Sequence, residues 1–183
     1  MNRKPEILTR KQVARTRIFG VEEIHLRFAN GEERIFERLV ASRHGAVMII
    51  PMRDPDTVLL IREYAAGVDR YELALPKGLI EPEESPLEAA NREMMEEVGC
   101  GANRLTALKS LSLAPGYLSH TMHLVLAEDL YEKKLPGDEP EPIEVVPWRL
   151  SELDRLLARD DCTEARTVAA LYMVREHLNK RVK

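Results

Sequence analysis

Three glutamates crowd one stripe of a helix in the middle of the chain, and they constrain the fold more than any other feature. They lie within residues 78–100, GLIEPEESPLEAANREMMEEVGC, at Glu93, Glu96 and Glu97. Side chains spaced i, i+3 and i+4 are neighbours on a helix, and like charges at these spacings are destabilising. At about 5 to 6 Å and an effective dielectric near 20, each repulsion is on the order of 3 kcal/mol before solvent and salt screen it. A cation must therefore compensate this charge.

The ends of the helix are marked in the sequence. Ser85 is a suitable N-cap, Pro86 takes the first helical position, and Glu88 completes a capping box. Gly99 is placed to end the helix in a left-handed conformation. At 100° per residue the apolar side chains occupy one arc and the three glutamates occupy the adjacent arc. The apolar set is Leu87, Ala90, Met94 and Val98. The acidic stripe is therefore predicted to border the buried face.

The acidic stripe has more than one interpretation. A solvated stripe would lie opposite the apolar arc and alternate with lysines, yet the one base within the helix is Arg92, which Glu88 can reach at i+4. Clustered carboxylates suit Mg²⁺ or Mn²⁺, which bind oxygen ligands and bridge to phosphates. The helix alone leaves open a metal site, a solvated surface and a face that binds a partner protein.

Composition narrows the class of protein. The 183 residues suit one domain with a small extension. With 27 basic and 31 acidic residues the net charge is -4, so we expect no nucleic-acid partner. Cys100 and Cys162 are too few for a disulfide framework. The charged start and the lack of a long apolar run predict no signal peptide, no membrane association and a cytoplasmic location.

The N-terminal part of the chain is predicted to form a β-hairpin. Two β-patterned runs, VEEIHLRF and ERIFERLV, flank Asn30–Gly31, a dipeptide typical of tight turns. We therefore divide the chain into an N-terminal hairpin segment at residues 1–41 and a main domain at residues 42–183.

The main domain is predicted to be an α/β sandwich. Residues 45–52 and 57–61 are apolar on both faces, which is typical of central strands. Further short β-patterned runs follow the acidic helix, and two helices end the chain, with Ser151 and Thr163 as candidate N-caps. Mixed strands with one internal and two terminal helices indicate this architecture.

The spacing across residues 78–100 resembles the Nudix box, G-x5-E-x7-R-E-U-x-E-E-x-G-U, in which U is a bulky apolar residue. The matching positions are Gly78, Glu84, Arg92, Glu93, Met94, Glu96, Glu97, Gly99 and Cys100. Cys100 replaces the usual aliphatic residue, and a buried thiol packs as a small hydrophobe. The resemblance implies an α/β/α sandwich that hydrolyses a nucleoside diphosphate linked to another group.

The same resemblance implies a role for each residue of the box. The implied ligands of Mg²⁺ or Mn²⁺ are Glu93 and Glu97, completed by Glu96 and the carbonyl oxygen of Lys77. Arg92 would orient the glutamates, with Glu84 paired to it or nearby. Gly78 would permit the close backbone approach that the loop requires.

Outside the box the chain is similar to ADP-ribose pyrophosphatases and to related hydrolases of other ADP compounds. The implied substrate-binding residues are Arg62, Glu63, Glu72, Gly78, Pro115 and Gly116. The chain departs from that group after the proline–glycine turn, where His120 and Thr121 occupy the neighbourhood of the usual acidic residue. The implied substrates are ADP-ribose, diadenosine polyphosphates and reduced NAD, each cleaved to release AMP.

A candidate general base lies before the final strand, in GDEPEPIEVVPW. Similar enzymes carry a mobile loop with a catalytic glutamate in this region, which makes Glu139 and Glu141 the candidates. We favour Glu141 because it is closer to the strand. The alternative is an acidic surface loop stiffened by Pro140 and Pro142.

The resemblance also raises questions of assembly and activity. Members of this group commonly exchange N-terminal strands, so we expect a homodimer built through residues 1–41, with a single extra hairpin on a monomer as the alternative. A Nudix-like fold could also bind ADP-ribose as a sensor without hydrolysing it. The intact set of Arg92, Glu93, Glu96 and Glu97 favours the enzyme.

Overall fold

A computed structural model describes residues 3–40 and 44–181. The strands are β1 (Glu6–Arg15), β2 (Gly20–Arg27), β3 (Glu33–Val40), β4 (Ala46–Pro51), β5 (Thr57–Ala65), β6 (Arg70–Ala74), β7 (Lys77–Leu79), β8 (Cys100–Ser112), β9 (Leu118–Ser119), β10 (Thr121–Glu132) and β11 (Glu144–Arg149). The helices are α1 (Pro86–Glu97), α2 (Leu153–Leu157) and α3 (Ala165–Arg181), with a 3₁₀ turn at Leu150–Glu152 before α2.

The chain divides into two compact units. Among the described residues, the hairpin unit comprises 3–40, 44–45 and 112–121, and the main unit comprises 46–111 and 122–181. The predicted domain boundary between residues 41 and 42 lies outside the described residues.

The hairpin unit contains one sheet in the order β1-β2-β3-β9. The predicted hairpin is confirmed, because β2 pairs antiparallel with β3 and Gly31 adopts a φ of +86° in the turn. The sequence analysis missed β1, which pairs antiparallel with β2. Its residues are exposed along almost the whole strand, so it lacks the alternation of apolar and polar residues that marks a half-buried strand.

The main unit contains two sheets. One has the order β7-β4-β10-β8 and is mixed, since β4 runs parallel to β10 and antiparallel to β7. The other has the order β11-β5-β6 and is antiparallel throughout. The two runs predicted as central strands are β4 and the first part of β5, and β4 is buried along its full length.

Helices cover β4, which explains its burial. Val47 and Ile49 belong to the apolar cluster that holds the buried face of α1. Because side chains alternate along a strand, Met48 and Ile50 point to the opposite face, and both are fully buried. Helix α3 also packs against β4 and contributes its own buried side chains. The predicted α/β sandwich is confirmed.

Two predicted helix caps are wrong. Ser151 lies inside the 3₁₀ turn, where its N–H and hydroxyl donate to the Asp56 carboxylate at 2.8 and 2.7 Å. The last helix begins at Ala165, and the Glu164 carboxylate, not Thr163, accepts the Thr167 N–H at 2.7 Å. None of the helices in the described ranges combines the length and apolar character needed to cross a membrane.

Candidate active site

The acidic helix begins and ends where the sequence predicts. Ser85 accepts the Glu88 N–H at 3.3 Å, and the Glu88 carboxylate accepts the Ser85 N–H at 2.8 Å, which completes the capping box. After α1, Gly99 adopts a φ of +79° and its N–H donates to the Met94 carbonyl at 3.1 Å. Because Glu88 serves the cap, its predicted pairing with Arg92 is not formed.

The three glutamates border the core, as predicted. Glu97 is 5% exposed, and the side chains of Glu93 and Glu96 are 12% and 20% exposed. The neighbouring apolar face of α1 buries Ala90 and Met94. The stripe is therefore not a fully solvated surface, and its charges need partners within the protein.

Arg92 is the cation that compensates two of the three glutamates, Glu93 and Glu96. Its NH1 group donates to Glu93 and to Glu96, at 2.9 Å each. Its Nε and NH2 groups donate to the two oxygens of Glu84 at 2.7 and 2.9 Å. NH2 also donates to the carbonyl oxygen of Leu79 at 3.0 Å. Arg92 therefore holds two carboxylates of the stripe and is itself held by β7 and by Glu84.

Glu97 is stabilised by strand β7 and not by Arg92. The Lys77 N–H donates to Glu97 Oε2 at 3.0 Å, and Lys77 Nζ pairs with Glu63 at 2.6 Å. Burial raises the pKa of Glu97 to about 8, although the charge and N–H of Lys77 act in the opposite direction. Burial also raises the pKa of Glu93, against the opposing effect of Arg92. A further cation beside Glu93 and Glu97 would therefore stabilise their charged forms.

Gly78 permits the close approach of β7 to the acidic helix. A Cβ atom at this position would lie 1.9 Å from the carboxyl carbon of Glu93 and 2.0 and 2.2 Å from its two oxygens. No side chain fits such a space without displacing the carboxylate. The close contact between β7 and Glu93 therefore explains why the motif has glycine at position 78.

The carboxylates fit a divalent cation by their chemistry, although they do not form a ready cage. Among residues 3–40 and 44–181, no three acidic, histidine or cysteine side chains converge tightly enough to define a metal site. Arg92 uses Oε1 of Glu93 and Oε2 of Glu96, while Lys77 uses Oε2 of Glu97. The second oxygen of each carboxylate accepts no hydrogen bond from the described residues. Hard oxygen donors of this kind suit Mg²⁺ or Mn²⁺.

The loop between β10 and β11 places Glu139 and Glu141 in different surroundings. The negative charge of Glu139 contributes to the raised pKa of Glu93. The carboxylate of Glu141 instead accepts the hydroxyl of Tyr71 at 2.6 Å. These contacts reverse our preference between the two candidate bases, and which of them acts stays a prediction.

The other predicted substrate-binding residues are placed in different surroundings. Arg62 donates to Glu144 at 2.9 Å and to Asp161 at 2.6 Å. Glu72 is buried at 6% exposure, and its carboxylate is occupied by Arg70 at 2.6 Å and by Thr163. Of the substrate candidates, two lie beside the acidic stripe. Glu63 pairs with Lys77, and Gly78 lies against the Glu93 carboxylate.

Pro115 and Gly116 belong to the hairpin unit. They lie in the turn before β9, where the N–H groups of Tyr117 and Leu118 donate to the Ala114 carbonyl at 3.0 and 2.8 Å. Within this unit they line a cavity together with Phe36 and Arg38. Their predicted part in substrate binding stays a prediction.

Sequence reasoning missed three residues that organise these surroundings. The Tyr71 hydroxyl donates to Glu141, and the Thr163 N–H donates to the buried Glu72. Asp161 pairs with both Arg62 and Arg159. Arg159 and Arg62 hold the pKa of Asp161 well below its usual range. Each contact joins residues far apart in the chain, except Arg159–Asp161, so no local pattern marks it.

Comparison with known proteins finds relatives over almost the whole chain. Residues 5–38 match the model of the NudE-type Nudix hydrolase N-terminal domain, and residues 42–172 match that of the NUDIX domain. The chain is 54% identical over 175 residues to ADP compounds hydrolase NudE of Escherichia coli (strain K12), covering 96% of this chain and 94% of the relative. These matches confirm the resemblance inferred from the sequence.

A more distant relative and a solved structure agree. The chain is 28% identical over 173 residues to ADP-ribose pyrophosphatase of Bacillus subtilis (strain 168), covering 90% of this chain and 91% of the relative. A crystal structure described as that of an ADP compounds hydrolase superposes with a TM-score of 0.92 at 52% identity, covering 99% of this chain and 97% of that one.

Gly78→Ala should destabilise the protein, because its Cβ would overlap the Glu93 carboxylate and displace it from Arg92. We expect a loss of about 1–3 kcal/mol in the free energy of unfolding, measured by urea denaturation. Gly67→Ala is the matched control, since a Cβ at Gly67 meets no atom within 4 Å. Equal stability of the two variants would contradict the proposed contact.

The stability of the metal-free protein should fall with pH through Glu97. The raised pKa of Glu97, about 8 against an ordinary 4.5, means that the folded protein keeps a proton that the unfolded chain releases. Stability is therefore lost as the pH rises from about 4.5 to about 8, by a few kcal/mol in total. Glu97→Gln removes this effect.

Urea denaturation in the presence of a chelator, at pH 5 and pH 9, measures the difference. Relative to wild type, Glu97→Gln should gain stability between the two pH values. A difference that does not change with pH would show that Glu97 is ionised in the folded protein at both.

Proposed function

Because this chain belongs to the Nudix hydrolase family, we propose that it is a pyrophosphohydrolase that cleaves ADP-containing compounds and releases AMP. The observation that carries the proposal is the set of Glu93, Glu96 and Glu97 at the edge of the core, each with one carboxylate oxygen turned from Arg92 and Lys77. The E. coli relative is named for ADP compounds and the B. subtilis relative for ADP-ribose. ADP-ribose is therefore the first substrate to test, followed by diadenosine polyphosphates and NADH.

We assign the divalent cation to the carboxylates of the stripe. The ligands would be Glu93, Glu96, Glu97 and the Lys77 carbonyl oxygen, with Mg²⁺ or Mn²⁺ as the ion. When bound, the ion polarises a phosphoryl oxygen, offsets the charge of the diphosphate and lowers the pKa of a bound water.

The protein's own residues prepare this site. Arg92 fixes the rotamers of Glu93 and Glu96 through its fork of donors, and Glu84 fixes Arg92 in turn. The Lys77 N–H orients Glu97. Because these contacts are made before any substrate binds, one oxygen of each carboxylate is already held in place.

A general base would remove a proton from the attacking water. Glu139 is our candidate, because its charge acts on Glu93 and no described side chain occupies its carboxylate by a hydrogen bond. Arg62 and Glu63 lie in β5, and Glu63 pairs with Lys77. Both remain candidates for substrate contacts. Glu72 is better explained as a structural residue, since Arg70 and Thr163 already satisfy its carboxylate.

Two other functions compete with hydrolysis. A sensor would bind ADP-ribose without cleaving it, and an acidic surface could bind a partner protein. Neither explains why Arg92 aligns Glu93 and Glu96, or why Glu97 is buried beside Lys77. We therefore rank hydrolysis first.

Purified protein should release AMP from ADP-ribose only when Mg²⁺ or Mn²⁺ is added, as measured by chromatography of the products. Glu97→Gln should lower kcat at least a hundredfold while the fold is retained, because an amide is a poor replacement for a charged ligand. Glu88→Gln is the matched control on the same helix, since glutamine also completes a capping box.

The outcomes separate the three functions. Binding of ADP-ribose without turnover by wild type would favour the sensor, and neither binding nor turnover would favour the partner surface. Full activity of Glu97→Gln would remove Glu97 from the mechanism.

The hairpin unit offers a surface for a second copy of the chain. Register places Ile7 opposite Leu26 and Ile24 opposite Phe36, so these apolar side chains share one face of the sheet. Ile7 is 41% and Phe36 is 43% exposed, and strand β1 is exposed along most of its length. Ile24, between them, is 7% exposed, so the exposed apolar side chains flank a buried one on the same face. Exposed apolar groups gathered on one face are typical of an interface. We therefore assign residues 1–41 to dimerisation.

Light scattering after gel filtration should give the mass of a dimer for wild type. Phe36→Glu should shift the mass to that of a monomer, because it buries a charge in the interface. Ile35→Glu is the matched control, since Ile35 pairs with His25 on the opposite face and is also exposed. A monomeric wild type, or equal effects of both variants, would contradict this assignment.

We place the protein in the cytoplasm. Its two cysteines, Cys100 and Cys162, are free and buried. Free thiols suit a reducing compartment, and neither residue is available for a disulfide between copies.

A further inference from the structure

The loop that carries Glu139 is fastened at its beginning to the acidic helix. After β10 ends at Glu132, the Lys133 N–H donates to the Gly99 carbonyl at 3.1 Å and the Leu135 N–H donates to the Met95 carbonyl at 3.0 Å. The Lys134 ammonium also donates to the Glu96 carbonyl. Residues 133–135 therefore follow the end of α1 closely.

The far end of the loop is fastened to β5. Strand β11 begins at Glu144, which lies opposite Arg62 in β5 and pairs with its guanidinium at 2.9 Å. Between these two attachments, residues 136–143 form no helix or strand. Their conformation depends on whatever side chains hold them.

One side chain of the described residues donates a hydrogen bond to this stretch. The Tyr71 hydroxyl, on β6, donates to Glu141 Oε1 at 2.6 Å. The ring of Tyr71 is supported by Tyr64, with centroids 5.5 Å apart in an edge-to-face arrangement. The Tyr64 hydroxyl in turn donates to Asp69 in the turn between β5 and β6. It is thus the Tyr64 ring, and not its hydroxyl, that supports Tyr71 where Tyr71 contacts the loop.

The sequence of the loop passes this restraint on to Glu139. Pro140 separates Glu139 from Glu141 and Pro142 follows, so two of the backbone φ angles are fixed near −65°. Gly137 packs closely against Glu139, since a Cβ at Gly137 would lie 2.0 Å from a Glu139 carboxylate oxygen. Because one residue of fixed φ, Pro140, separates the two glutamates, a bound Glu141 limits the positions that Glu139 can reach.

We propose that Tyr71 is a positioning residue that anchors residues 136–143 through Glu141 and thereby holds Glu139 at the acidic helix. Glu141 is then the anchor of the loop and not the general base. This inference rests on the proposed hydrolysis for its catalytic consequence, whereas the anchoring itself is a property of the free protein.

Tyr71→Phe should lower kcat for ADP-ribose about tenfold with little change in KM, because the ring stays and one charge-assisted hydrogen bond to the loop is lost. Tyr64→Phe is the matched control, since its hydroxyl binds Asp69 and not the loop, and it should leave kcat unchanged. Glu141→Ala should cause the same loss as Tyr71→Phe. The double variant should be no worse than either single variant, because both remove one interaction.

The pH profile separates an anchor from a base. Tyr71→Phe and Glu141→Ala should lower the plateau of kcat and keep the midpoint of its acidic limb, whereas Glu139→Gln should shift that midpoint. A shifted midpoint in Glu141→Ala, together with a much larger fall in kcat than in Tyr71→Phe, would make Glu141 the base and overturn the proposal.

Backbone ¹⁵N relaxation tests the anchor without any turnover. The order parameters of the five non-proline residues in 136–143 should fall toward values typical of flexible backbone in Tyr71→Phe, and stay as in wild type in Tyr64→Phe. Unchanged order parameters in Tyr71→Phe would overturn the anchor even if the enzyme is active. A wild type that hydrolyses no ADP compound would instead refute the proposed function, and the relaxation measurement would still decide the role of Tyr71.

Discussion

The ion cluster around Arg92 is the interaction on which the candidate site depends. One guanidinium, 21% exposed in its side chain, donates to Glu84, Glu93 and Glu96 and to a carbonyl of β7. Without it, two adjacent carboxylates at the margin of the core would repel each other with no counter-charge, which is expensive in a partly buried setting. The cluster also joins the helix to the loop that precedes it, so charge compensation and site geometry come from the same residue.

Glu97 has different surroundings from Glu93 and Glu96. It lies deepest, it is left out of the Arg92 cluster, and its one described hydrogen bond comes from a backbone N–H. A buried carboxylate in that state favours its protonated form until a cation approaches. The three glutamates of one stripe therefore differ in electrostatic character, and this difference arises from burial and not from sequence spacing.

Much of the fold followed from local sequence signals. Ser85, Glu88 and Gly99 mark the ends of α1 because capping is a short-range interaction, and the apolar run of β4 marks a strand covered on both faces. Strand β1 escaped prediction because its exposed, charged residues carry no burial pattern. The caps assigned to Ser151 and Thr163 failed because Asp56 and Glu72, both distant in the sequence, bind these residues instead.

The residues of the site could be predicted where they lie close together in the sequence. The fixed spacing of residues 78–100 identified the glutamates, Arg92 and Gly78, since a helix converts spacing directly into proximity. The surroundings of Glu139 and Glu141 were not predictable, because they depend on Tyr71, a residue of another strand. Similarly, the occupied carboxylate of Glu72 follows from Thr163 at the far end of the chain.

The parallel pairing of β4 with β10 has a consequence for how the protein forms. Ala46 lies opposite Met122, so the strand beneath the acidic helix gains this neighbour only after most of the chain has been synthesised. Such long-range pairings slow folding, because a large loop must close before any contact compensates for the lost entropy. On the ribosome, the helix of the motif would emerge well before the sheet that supports it is complete. The sheet beneath the helix is therefore completed only after β10 has been synthesised.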